Sequence, residues 1–155
     1  MRNLILEKLD KIVKGKTIIL GIGNVVKGDD GVGPILISRL KGKTRAKLLN
    51  CEEVPENYTQ PIIDARPDKI IIIDAADWNG PAGAIRFIDA EEINNMSFST
   101  HDSSLQTFIN YLKNHLPNID IIIVGIQPKR KGLLDSLSPE VEKTVDELSH
   151  LLEKI

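Results

Sequence analysis

Cysteine occurs once in the 155 residues, at Cys51. The chain can therefore close no disulfide on itself and build no thiolate-rich zinc or iron-sulfur site, and a reducing compartment is its natural setting. No run approaches the roughly 18 apolar residues of a membrane-spanning helix. The start, Met1-Arg2-Asn3-Leu4, leads into neither the unbroken apolar stretch nor the small-residue cleavage site of a secretory leader. The expectation is a cytoplasmic protein. Charge of one sign is also scarce: the net value is −2, with acids and bases interspersed. That gives no electrostatic footprint for nucleic acid and no polybasic membrane anchor. The one basic cluster, Lys129-Arg130-Lys131, reads as a solvated loop.

Two nucleotide-binding loops are missing as well. Gly21-Ile22-Gly23 follows an apolar run, but the sixth position of a dinucleotide fingerprint, which must be glycine for the backbone to approach a pyrophosphate, is Val26. A phosphate loop would end in Gly-Lys-Ser or Gly-Lys-Thr. This one closes in Gly28-Asp29-Asp30-Gly31, which sets carboxylates at the helix start where a phosphate would sit. Acids in that position suit a cation.

What is present is an alternation of strand and helix signals. Thr17 to Ile22 reads as a buried strand, and Asp30 to Leu40 as a helix with Asp29 or Asp30 capping its first free amides. Ala46 to Cys51 reads as a second strand and Tyr58 to Arg66 as a short helix. Ile70 to Asp74 is apolar on both faces and β-branched, the pattern of a central parallel strand with Asp74 at its carboxyl end. Ala84 to Ile88 alternates and reads as an edge strand of antiparallel sense. Ser103 to Leu116 is an amphipathic helix and Ile119 to Ile126 another buried strand. Ser138-Pro139-Glu140 is a helix start, with a capping hydroxyl, and that helix runs to the C terminus. Leu4, Ile5, Leu9, Ile12 and Val13 space an N-terminal helix over residues 1–15. The pattern predicts one domain over 1–155, an α/β fold: a three-layer α/β/α sandwich around a mostly parallel sheet of about five strands.

In such folds sites gather at the carboxyl ends of the strands. That rule assembles Asp29 and Asp30 after the first strand, Asp74 and Asp77 after the third, and the irregular stretch Ser97 to Asp102 with His101. Carboxylate oxygens with one imidazole suit nickel, zinc or cobalt better than calcium or magnesium. Taken singly, Asp30 reads first as a helix cap, His101 as a loop histidine, and Cys51 as a core residue. His115 and His150 read as surface groups, while Trp78 is either an exposed recognition aromatic or a packed lid.

Several short segments occur together: Gly21-Ile22-Gly23-Asn24, Gly28-Asp29-Asp30-Gly31, Val54-Pro55-Glu56-Asn57, Asp74-Ala75, Pro81-Ala82-Gly83, Ser99-Thr100-His101 and Gly125-Ile126-Gln127-Pro128. In combination the chain resembles the hydrogenase maturation endopeptidases, and most closely the branch serving formate-hydrogenlyase (hydrogenase 3) type enzymes. The resemblance implies an endopeptidase that removes the C-terminal extension of a nickel-iron hydrogenase large-subunit precursor once nickel is in place. It implies that Asp30, Asp74 and His101 reach a metal in the cleft. That metal is nickel carried by the precursor, though zinc or cadmium could occupy the same donors. Asn24 is then expected to shape the loop, and Asp29 to cap the helix or orient its neighbours. The extra N-terminal helix departs from the family pattern. With no Ser-His-Asp or Cys-His signature, attack by water is expected. Two other readings remain at this point: a non-enzymatic nickel-binding maturation chaperone, and a dinucleotide-binding oxidoreductase using Glu52 or Glu53.

Overall fold

The computed structural model describes residues 4–5, 7–9, 15–99 and 102–155. Six strands form the sheet: β1 (Thr17–Ile22), β2 (Lys47–Glu52), β3 (Lys69–Asp77), β4 (Ile85–Ile88), β5 (Ser97–Phe98) and β6 (Asp120–Ile126). Their order is β2-β1-β3-β6-β4, with β5 paired to the far end of β3. The β1–β2, β1–β3 and β3–β6 pairs are parallel, and β4 and β5 are antiparallel to their neighbours. The helices are α1 (Val32–Leu40), α2 (Thr59–Ala65), α3 (Asp102–His115) and α4 (Pro139–Leu152).

The strand signals are physical in origin. Ile70 to Ile73 point alternately to the two faces and all four are fully buried. Ile71 and Ile73 meet α1 and α4, together with Ile5 and Leu9 from the helical residues near the N terminus. Ile70 and Ile72 meet α2 and α3 through Ile62, Leu105, Phe108 and Leu112. This is the α/β arrangement expected, with helices on both faces. Arg39 on α1 pairs with Glu142 and Asp146 on α4, tying the two helices of one layer across their exposed edge.

Three details differ from the sequence expectations. The sheet has six strands because Ser97–Phe98 adds a two-residue pairing opposite Ala76 and Asp77, too short and polar to carry a periodic signal. For the same reason β3 continues to Asp77, so Asp74 is not its last residue. Finally, a 3-10 turn over Gly28–Gly31 precedes α1, and neither it nor α1 has a side-chain cap; the helix proper begins at Val32.

β1 has β2 on one side and β3 on the other, so the connections leaving it and arriving at β3 run over opposite faces. The crevice at this switch point is where α/β sheets place their sites. Its depth depends on glycine. A Cβ on Gly33 would lie 2.4 Å from the carbonyl oxygen of Ile22 and 2.5 Å from that of Ile73. Only glycine lets the first turn of α1 rest on the backbone of both strands.

Candidate functional site

The loop between β1 and α1 is folded on its own backbone. Asn24 N–H donates to the carbonyl of Asp30 at 2.9 Å, Lys27 N–H to the carbonyl of Asn24 at 3.1 Å, and the Asn24 side chain accepts from Val26 N–H at 3.0 Å. Gly23, at φ +148°, is required here: a Cβ would overlap the carbonyl of Asp30. The result is a tight turn that returns Asp30 to the mouth of the switch-point crevice.

Asp29 and Asp30 take opposite roles. Asp29 is fully buried and caps nothing. Its Oδ2 accepts from Lys129 N–H at 2.8 Å, Arg130 N–H at 3.0 Å and the Ser138 hydroxyl at 2.8 Å, while Oδ1 accepts from Ser138 N–H at 2.7 Å. This corrects two expectations together. Asp29 stitches the β1–α1 loop to the β6–α4 loop, and the Ser138 hydroxyl serves that carboxylate instead of capping α4. It also corrects the reading of Lys129-Arg130-Lys131 as a merely solvated loop. The Arg130 guanidinium is held by the carbonyls of Ser136 and Leu137, and Lys129 Nζ by Glu140 at 2.6 Å.

Asp30 does not cap α1 either. Half-buried, its carboxyl is pushed up by desolvation, against the pull of Lys131 and Lys27 and with the help of Glu53 and Asp29.

Asp74 is the most unusual titratable group among the described residues. The register pairs Gly21 with Ile73, so Asp74 is the first residue of β3 beyond the β1 ladder, and it lies opposite Gly125 of β6. Alternation directs it to the α3 face, where it is fully buried. The Ser99 hydroxyl donates to Oδ1, and Oδ2 has no hydrogen-bond partner among the described residues. Burial pushes its pKa well above the carboxylate range; the Ser99 hydroxyl and the backbone amides of Ala75 and Ser99 oppose that, and the charge of Asp30 reinforces it.

Asp77 is not part of this group. Three residues further along β3, it points to the other face. Its Oδ1 accepts from Gln127 Nε2 and Asn79 N–H, both at 2.9 Å, and these bonds hold its pKa below the usual value. Gln127, nearly fully buried, also receives the N–H groups of Trp78 and Gly80 at 3.0 Å on its Oε1, and so organises the loop after β3. Trp78 packs half-buried, with the Arg86 guanidinium 5.9 Å from its ring centre.

The structure thus brings Asp30 and Asp74 together, with Asn24 holding the loop that carries Asp30. His101 lies outside the described residues. Ser99, two positions before it, is already in contact with Asp74. Among the described residues no three His, Cys, Asp or Glu side chains gather as a metal-binding group. The two carboxylates nonetheless fit part of such a group: a buried oxygen without a partner is a hard donor awaiting a cation. Cys51 is in the core, as expected, and burial followed by the charge of Glu56 pushes its thiol up to about 12. His115 and His150 are surface groups. Sequence reasoning missed the parts played by Ser99, Gln127 and Ser138. Each acts through a hydrogen bond to a residue at least 25 positions away, which no local pattern encodes.

Residues 35–155 match the family described as HycI, hydrogenase maturation protease. A Methanocaldococcus jannaschii protein provisionally named a hydrogenase maturation protease is 36% identical, across 100% of this chain and 95% of its own length. The hydrogenase 3 maturation protease of Escherichia coli K12 is 30% identical over 88% of each chain. The crystal structure of a nickel-iron hydrogenase maturation protease HycI from Thermococcus kodakarensis superposes with a TM-score of 0.83 at 30% identity, covering 94% of this chain and 95% of that one.

Proposed function

The chain belongs to the hydrogenase maturation protease family, and from that premise we propose that Asp30, Asp74 and His101 engage the nickel ion carried by the precursor it processes. The protein is an endopeptidase acting in the C-terminal processing of a hydrogenase large subunit. The observation that supports the three-residue reading is Asp74: fully buried, pinned at Oδ1 by Ser99, and left with a bare Oδ2 beside Asp30.

Nickel is then part of the substrate. It supplies Lewis acidity and a report that insertion is complete. The chain's own residues supply the rest. Burial raises the cost of ionising Asp74, and engagement of a cation requires the ionised form, which makes the empty cleft a poor trap for free ions. Asp30 brings a second carboxylate on a loop fixed by Asn24, Gly23 and the Asp29 anchor, so both donors are positioned before the precursor arrives. His101 contributes an imidazole from the segment that begins at Ser99. The scissile amide is held in the crevice only when the ion is present, and water attacks it.

The test is intact-mass spectrometry of a nickel-loaded large-subunit precursor incubated with the enzyme, beside a nickel-free precursor and the Asp74→Asn variant. Loss of a C-terminal peptide from the loaded precursor alone, absent with the variant, is the expected result. Equal cleavage of loaded and empty precursor would remove nickel from the recognition step. Full activity of Asp74→Asn would remove Asp74 from the site.

A further inference from the structure

Seven large hydrophobic residues are exposed among the described residues, and five of them, Val25, Val26, Val54, Leu133 and Leu134, lie on loops bordering the crevice that holds Asp30. Single exposed apolar side chains need no explanation; a cluster at one edge of a site does. Leu133 and Leu134 are 72% and 83% exposed, so the two β6–α4 leucines stand almost wholly in water.

These residues are held out, not merely loose. Leu134 has φ 65°, a left-handed conformation that a leucine adopts only under constraint. The constraint is visible: Leu134 N–H donates to the carbonyl of Val26 at 2.6 Å, Gly28 N–H to the carbonyl of Asp135 at 3.2 Å, and the buried Asp29 carboxylate clamps the same two loops below. Val25 and Val54 continue the rim on the other side, along a groove of about 330 Å³ whose lining also includes Pro34 and the polar Asn50, Glu52 and Glu53. The strain at Leu134 is thus spent on displaying an apolar side chain at the mouth of the crevice that holds Asp30, and strained residues of this kind cluster at functional sites.

Resting on the reading of the site given above, we infer that the rim formed by Val25, Val26, Val54, Leu133 and Leu134 is the docking surface for the large-subunit precursor, which meets it with an apolar segment adjoining the bond to be cut. A protein client that delivers a peptide bond to Asp30 from the solvent must pass this rim. The rim is preorganised by the loop-to-loop hydrogen bonds, so little ordering is needed on binding.

The experiment compares wild type, the double variant Leu133→Ser/Leu134→Ser, the double variant Val25→Thr/Val26→Thr, and Leu4→Ser, which removes an exposed leucine away from the rim. Each is titrated with nickel-loaded precursor, and both association and the cleaved mass are followed. The expected result is a KM and a dissociation constant raised about tenfold or more by either rim variant, with the rate at saturating precursor retained and Leu4→Ser like wild type. Rim variants that bind and cleave like wild type would overturn the inference while leaving the site reading intact. Wild type that binds but does not cut would sink the site reading, and the binding series would still decide the rim; wild type that neither binds nor cuts would sink both. A wild-type dimer that the leucine variant converts to monomer, with precursor binding unchanged, would assign the rim to a second copy of the chain and overturn the inference.

Discussion

Asp29 and Ser138 stand 109 positions apart in the chain and meet at two hydrogen bonds, backbone N–H to Oδ1 at 2.7 Å and hydroxyl to Oδ2 at 2.8 Å. With the amides of Lys129 and Arg130 added, one buried carboxylate joins the loop after β1 to the loop after β6. The position of Asp30, the next residue, depends on that joint.

Replacing Asp29 should therefore cost far more than a surface acid would. Asp29→Asn keeps the shape but turns one acceptor into a donor. Even with its oxygen kept on the side of Lys129, Arg130 and the Ser138 hydroxyl, the buried Ser138 N–H loses its partner and the remaining bonds lose the carboxylate charge. A loss of about 3 kcal/mol or more is expected in urea unfolding, against about 1 kcal/mol for Ser138→Ala. A loss under about 1 kcal/mol for Asp29→Asn would mean that the joint carries little of the stability.

The buried Asp74 sets a dependence of stability on pH. Its folded pKa lies well above that of the unfolded chain. Above the ordinary carboxylate range, the unfolded state gives up this proton first and is favoured, so Asp74 makes stability fall as pH rises toward the folded pKa. Asp74→Asn removes this decline, and the variant should gain on wild type as pH increases. Unfolding free energies at a series of pH values check this; parallel curves would contradict the burial effect. On the proposed role of Asp74 as a ligand to the precursor's ion, processing by the wild type should rise over the same range, because that role requires the ionised form.

Gly33→Ala inverts a usual expectation. Glycine to alanine within a helix ordinarily gains up to about 1 kcal/mol. Here the new Cβ meets the carbonyl oxygens of Ile22 and Ile73, which are backbone atoms and cannot turn away. A net loss of about 2 kcal/mol is expected from overpacking, together with a drop in processing as α1 lifts from the sheet. Denaturant unfolding with a processing assay would detect both, and a stabilised variant would refute the close contact.

Cys51 should be nearly inert in the folded protein. With its thiol pushed up to about 12 from an ordinary 9.0, the thiolate fraction near pH 8 falls on the order of a thousandfold. Labelling by a thiol-reactive disulfide should be slow in the native state and prompt in denaturant. Fast native labelling would place Cys51 outside the core.

Much of this protein was legible in the order of its residues. The four isoleucines Ile70 to Ile73 announced a strand covered on both faces, since only burial on both sides makes an unbroken β-branched run favourable. Leu105, Phe108 and Leu112 announced α3 by their spacing, and the break in the glycine pattern at Val26 excluded a pyrophosphate loop. The proximity of Asp30 and Asp74 was legible because strand ends in an α/β sheet converge by topology alone. These features are local, and the physics that produces them acts over a few residues along one element.

What tertiary structure alone decided is the use to which similar residues are put. Asp29 and Asp30 are adjacent and chemically identical. One became a buried anchor because amides from residues 129, 130 and 138 surround it, and the other remained at the crevice mouth. Ser138 had the sequence of a helix cap and became a donor to Asp29, because a buried carboxylate is the stronger acceptor. Whether Asp74 or Asp77 came to lie beside Asp30 was fixed by alternation along β3 and by which partner, Ser99 or Gln127, arrived from elsewhere in the chain. Sequence determines the elements, because periodicity and propensity are near-neighbour properties; the fate of each carboxylate waits on contacts that exist only once the distant loops have closed.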